Sequence, residues 1–147
     1  MDNHTKEQRH ENMVHIRSVS SDEEIVRKYL FSQGFRYRKN DRRYPGHPDI
    51  VLPKYKTMVF INGCFWHQHP GCPRASIPKS NSDYWVPKLK RNVERDRQNM
   101  QILKQDGWNV IVVWECTLAK AKRSETLKKL AEQIKANNRK EIIHANN

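Results

Sequence analysis

The run Asp49-Ile50-Val51-Leu52-Pro53-Lys54-Tyr55-Lys56-Thr57-Met58-Val59-Phe60-Ile61 holds two short apolar segments on either side of a basic turn. Branched and aromatic residues in runs this short read as strands, and the turn between them predicts a hairpin. Upstream, Ser21 followed by Glu24 matches a capping box and predicts a helix start. Ile25, Val26, Tyr29 and Leu30 form its apolar face, and Gly34 ends it. From Phe35 to Arg43 aromatic and basic residues alternate, before the turn Tyr44-Pro45-Gly46-His47-Pro48.

Downstream, the stretch from Gly63 to Asn81 carries Pro70, Pro73 and Pro78 and has no clear periodicity. A loop of that length in a compact domain is functional, disordered, or tied down by something other than a core. A long helix follows, with Pro87 expected in its first turn. Val86, Leu89, Val93, Asp96, Met100 and Leu103 fall at alternating three- and four-residue steps along it. Asn109 to Trp114 reads as a buried strand, and Leu127, Leu130 and Ile134 mark a last amphipathic helix. This order predicts the α/β class, a mixed sheet flanked by helices, with no internal repeat.

A chain of 147 residues suits one domain. Residues 1–20 read as a basic arm with Met13 and Ile16 as anchors, 21–137 as the folded domain, and 138–147 as a polar tail. The formal net charge of +12 attracts polyanions and opposes self-association, so nucleic acid is the expected partner and a monomer the expected state. A basic surface serving only solubility is the bland alternative. No apolar run approaches a membrane span, and Met1 to Glu11 lacks a signal-peptide core, which predicts a cytoplasmic, nucleoid-associated location. Three cysteines cannot all pair with one another, so disulfides do not account for them.

Cys64, His67, His69 and Cys72 crowd into one short segment, and Cys116 lies just past the final strand. Three thiols and one imidazole would satisfy structural zinc and pin the irregular loop. Spacing leaves open which histidine binds. Among the acids, Asp49 opens a strand, where a carboxylate suits magnesium. Asp96 lies in an apolar stripe and needs a histidine, an arginine or a metal as partner. Helix capping already accounts for Glu24. Phe65, Trp66, Tyr84 and Trp85 flank the loop amid basic residues. They suit either a wedge between base steps or core packing, and by themselves favour packing.

Taken in order, Asn12-Met13, Pro45-Gly46-His47-Pro48-Asp49-Ile50, Gly63-Cys64-Phe65-Trp66-His67, Asn92-Val93-Glu94-Arg95-Asp96-Arg97, Gly107-Trp108 and Val113-Trp114-Glu115-Cys116 resemble the very short patch repair endonucleases. The resemblance implies a restriction-endonuclease-like fold. It implies a nick 5′ to the thymine of a T:G mismatch left by deamination of 5-methylcytosine, with a DNA cytosine methyltransferase and mismatch repair proteins as functional partners. Asp49 matches the magnesium-binding aspartate, aided by the Ile61 backbone carbonyl, and His67 the catalytic histidine, with Asp96 and Glu24 in support. Cys64, His69, Cys72 and Cys116 match the zinc ligands. Phe65, Trp66 and Trp85 match the wedge, and Met13 an arm residue entering from the other groove. Arg36, Arg38, Lys39, Lys88 and Arg91 are expected to contact phosphates.

Two departures stand out. Ile61 and Asn62 replace a threonine and a histidine of some relatives, and Gly71 lengthens the segment between His69 and Cys72. The alternatives are another restriction-like or host-defence nuclease, and a zinc-stabilised DNA-binding protein without catalysis.

Overall fold

The computed structural model describes the backbone of residues 21–145 and the side chains of residues 21–137. Met13 and the arm around it lie outside the described residues. A helix over 21–32 (α1) leads into β1 (Arg38–Lys39), β2 (Ile50–Leu52) and β3 (Thr57–Asn62). Then come α2 (Ser82–Gln105), β4 (Asn109–Trp114) and α3 (Arg123–Ala145). The strands form one sheet in the order β1-β2-β3-β4. β2 pairs antiparallel with β3, as the hairpin reading requires, whereas β4 runs parallel to β3 from Thr57↔Asn109 to Asn62↔Trp114. A mixed sheet flanked by helices is thus the architecture, as expected from the sequence.

Side chains alternate across a strand, and that alternation sorts the core into two layers. Ile50, Leu52, Val59, Ile61 and Val113 face Val26 and Leu30 of α1 and Leu127, Leu130 and Ile134 of α3. Val51, Met58 and Phe60 face the other way, against Leu103 of α2 and Trp108. Because helices cover both faces, β2 and β3 are buried along their whole length, which is why they read as continuous apolar runs.

Several local readings change. Ser21 is already helical, so it does not cap α1. The alternating stretch before the Tyr44 turn supplies β1, paired through Arg38↔Val51 and Lys39↔Ile50. α2 starts at Ser82, which puts Pro87 at the sixth helical position rather than in the first turn. Its missing N–H leaves the carbonyl of exposed Asp83 without a helical donor. Val93 departs from the buried stripe, with 41 % of its surface exposed. The stretch read as a polar tail continues α3 to Ala145.

Candidate active site

β2 ends short of the sheet's rim, and the space it leaves is where the acids gather. The Asp49 N–H donates to the Val59 carbonyl at 3.1 Å, and Asp49 Oδ2 accepts the Ile61 N–H at 2.7 Å. The N–H and C=O of one strand residue lean toward the same edge, so the Ile61 carbonyl opens on the side where Asp49 stands. Burial pushes the Asp49 carboxyl up to about 7, and the neighbouring Glu23 carboxylate adds to this against the Ile61 hydrogen bond. A half-buried pair of acids with an adjacent carbonyl is an all-oxygen donor set of the kind a hard divalent cation takes.

From α1 it is Glu23, not Glu24, that the structure brings to the cavity. Glu24 is exposed and paired with Lys28 at 2.9 Å, while Glu23 lines the cavity with Asp49. Successive helical residues point about 100° apart, so both cannot face the cavity. The signal was present in the sequence: Glu23 precedes buried Val26 and Leu30 by three and seven positions, which puts it on the inward stripe.

From the opposite wall, His67 Nδ1 meets Asp96 Oδ2 of α2 at 2.5 Å. The carboxylate fixes this ring nitrogen as the donor and leaves Nε2 as the acceptor. Asp96 thus finds the histidine partner that its inward position demanded. A cavity of about 210 Å³ brings Glu23, Asp49, Ile61, His67 and Asp96 together with His47, Asn62 and Asn99. Asn62 is buried and offers its amide to that cavity. Gly46, at φ +80°, is held so close that a Cβ there would lie 3.1 Å from the Phe60 ring. Any other residue would be strained in the turn beneath His47.

The loop between β3 and α2 is tied from several sides. The Gln68 side-chain amide donates to the carbonyls of Phe65 and Ala75, and that of Asn92 to the carbonyl of Trp66. At its base the ligand atoms of Cys64, His69, Cys72 and Cys116 lie within 4.8 Å of one another. His69 Nδ1 is 3.6 Å from the Cys64 sulfur and 3.4 Å from that of Cys116. Around a tetrahedral zinc with ordinary bond lengths, a nitrogen and a sulfur stand about 3.5 Å apart. Both nitrogen–sulfur separations therefore suit a metal of that size, and the group contains His69 rather than His67. Burial, and then the neighbouring thiols, push the Cys64 thiol up to about 12. The His69 ring stacks on Trp114, with centroids 4.2 Å apart. Buried Glu115 accepts the Cys64 N–H at 3.0 Å.

Phe65, Trp66 and Trp85 belong to neither core layer. They contact one another edge to face at 5.2 to 5.6 Å and are half-buried. Arg36, Arg38, Lys39 and Arg91 are all exposed, and Lys88 lies over the aromatic group. No described helix is long and apolar enough to cross a membrane.

Residues 1–73 match the family model described as DNA mismatch endonuclease Vsr. The chain is 55% identical to the type II nicking enzyme V.NmeAIP of Neisseria meningitidis serogroup A, over 84% of its own length and 89% of the relative's. It is 38% identical to the DNA mismatch endonuclease Vsr of Escherichia coli K12, over 80% and 75% of the two chains. The chain belongs to the Vsr family. A Vsr-family protein is an endonuclease, DNA is its substrate class, and the fold is restriction-endonuclease-like. Sequence reading missed Glu23, Glu115 and Asn99 in this Vsr-family chain. For Glu115 the signal was its place inside the Trp114-Glu115-Cys116 block; for Asn99, its position three residues beyond Asp96 on α2.

Proposed function

We propose that this endonuclease nicks duplex DNA 5′ to the thymine of a T:G mismatch, using magnesium for the cut and zinc to hold the loop. The observation that carries the reading is one cavity in which Asp49, Glu23 and the His67–Asp96 pair converge, on the loop and helix that also bear the aromatic group. Trp85 and Asp96 are eleven residues apart on α2, about 16 Å along its axis. Rings in the duplex and a phosphate at the cavity are thus compatible with one rigid helix. Relatives named as type II nicking enzymes support a single-strand cut.

Asp49 and the Ile61 carbonyl would hold magnesium, with Glu23 beside them. Magnesium, when bound, neutralises charge on the phosphate and polarises the leaving oxygen. His67 Nε2 takes a proton from the attacking water, and Asp96 keeps the ring in the tautomer that can do so. The Asn62 amide donates to a non-bridging phosphate oxygen, the part left to it where some relatives carry histidine. Phe65, Trp66 and Trp85 enter beside the mismatch, where unstacking costs least, and Met13 enters from the other groove. Arg36, Arg38, Lys39, Lys88 and Arg91 hold phosphates. The protein acts as a monomer, in the cytoplasm, alongside a DNA cytosine methyltransferase and mismatch repair proteins.

The test compares nicking of T:G and T:A duplexes in magnesium, then with chelator. T:G should be cut in preference and only with the metal. Equal cutting of both duplexes would instead favour a restriction-like or host-defence nuclease. Binding without any metal-dependent product would favour a DNA-binding protein.

A further inference from the structure

The family resemblance gives Tyr84, the fourth aromatic flanking the loop, no role, yet its setting is specific. It is the third residue of α2 and 56 % exposed. The Asn81 carbonyl accepts the N–H groups of both Tyr84 and Trp85 at 3.0 Å, which fixes the two rings relative to each other at the helix start. The Tyr84 ring meets Trp85 edge to face at 5.0 Å. One helical turn on, Lys88 Nζ donates to the Tyr84 hydroxyl at 3.2 Å. The same ammonium stands 5.7, 5.4 and 5.9 Å from the ring centres of Trp66, Tyr84 and Trp85.

We propose that Tyr84 contacts the DNA: its exposed ring extends the Phe65–Trp66–Trp85 surface by a fourth aromatic, and its hydroxyl positions the Lys88 ammonium toward the duplex. Contiguous exposed apolar patches mark binding surfaces, whereas single exposed rings do not. A ring continuous with three others, topped by a cation on a chain of net charge +12, complements a polyanion with stackable bases. A protein partner would gain less from the ammonium, which is desolvated only where a negative group meets it. Because the hydroxyl and the rings hold it in place, Lys88 loses less side-chain entropy on binding than a free lysine would.

The proposal rests on reading the aromatic group as the DNA-facing wedge, so the experiment includes Trp66→Ala as a reference for that reading. Affinity for a T:G duplex and the KM–kcat split are measured for Tyr84→Ala, Tyr84→Phe and Trp66→Ala, with melting temperatures confirming each fold. Tyr84→Ala should raise Kd and KM about tenfold, as loss of one stacking ring does, with the smaller part of the effect in kcat. Tyr84→Phe keeps the ring and should raise Kd about threefold through the lost hydrogen bond. That threefold step should vanish in a Lys88→Met background; a fully additive double variant overturns the positioning half of the proposal. Tyr84→Ala binding as tightly as the parent while Trp66→Ala binds weakly overturns the contact itself. If Trp66→Ala also binds normally, the wedge reading fails, and this proposal with it.

Discussion

The sulfur cage and the acid cavity sit at the same end of the sheet, three residues apart along the chain at Ile61 and Cys64, but they are built on opposite plans. Three of the cage's four ligands come from one nine-residue stretch, Cys64 to Cys72, and the ligand atoms already stand at metal-binding separations. The cavity draws Glu23 from α1, Asp49 from the rim of β2, His67 from the loop and Asp96 from α2. Only the tertiary fold brings them together. A cage closed by its own ligands is a device for stability, whereas a cavity assembled from four elements is sensitive to small displacements of any of them. The contrast teaches that the loop needs a rigid base because it carries His67, which must meet a partner on a different element.

The sharpest break in this comparison is Asp49→Ala. Removing the carboxylate that accepts the Ile61 N–H should abolish magnesium-dependent nicking by about 10³-fold or more while mismatch binding persists. Equal nicking by this variant and the parent would remove Asp49 from the site. Next in size, Glu23→Gln should lower nicking by about 10- to 100-fold, the range for a group that supports a ligand. Glu24→Gln, which loses only an exposed pair with Lys28, should leave the rate within about twofold, since such pairs contribute little. The reverse ranking would restore Glu24 to the site.

The cage should respond to a different readout. Glu115→Leu removes the acceptor for the Cys64 N–H and should weaken metal retention against a chelator by about tenfold, with a parallel loss of melting temperature. Glu115→Gln keeps an acceptor oxygen and should recover most of both. Equal retention by Leu and Gln variants would show that the hydrogen bond does not hold the cage.

The same contrast explains how much was legible beforehand. The apolar runs Ile50–Leu52 and Met58–Ile61 identify the centre of the sheet because burial on both faces leaves no polar positions in them, whereas β4, read as a buried strand, is only partly buried except at Val113. The cage was legible because its ligands are neighbours in the chain, though spacing could not choose between His67 and His69; that choice needed the ring directions. Asp96 announced itself as an acid in an apolar stripe. Glu23 did not, because a capping motif offered a ready account of Glu24, and one position along a helix reverses which acid faces inward. β1 was hidden because two exposed basic residues carry no burial pattern; only their pairing with Ile50 and Val51 makes them a strand.

The last prediction is read in melting temperature and tests the coupling between the cavity's acids and the proposed magnesium. The Asp49 carboxyl lies near 7 in the fold against an ordinary 3.8, chiefly because it is buried, with Glu23 beside it. A raised pKa means that the folded state holds this proton more tightly than the unfolded chain does. The stability it brings is complete below about pH 4 and is lost as pH rises through about 7. On the proposed function magnesium takes the proton's place, so it should restore stability where the proton has left. Metal-free protein should therefore melt at progressively lower temperature from pH 5 to pH 8. Magnesium at about a hundred times its Kd contributes about 2.7 kcal/mol, so it should raise the melting temperature by several degrees at pH 8 and much less at pH 5. Asp22, which burial raises to about 6, also titrates over this range, so Asp49→Asn is the control: it should flatten the pH difference in the magnesium response. A magnesium shift of equal size at both pH values in the parent would show that the cation does not displace the Asp49 proton.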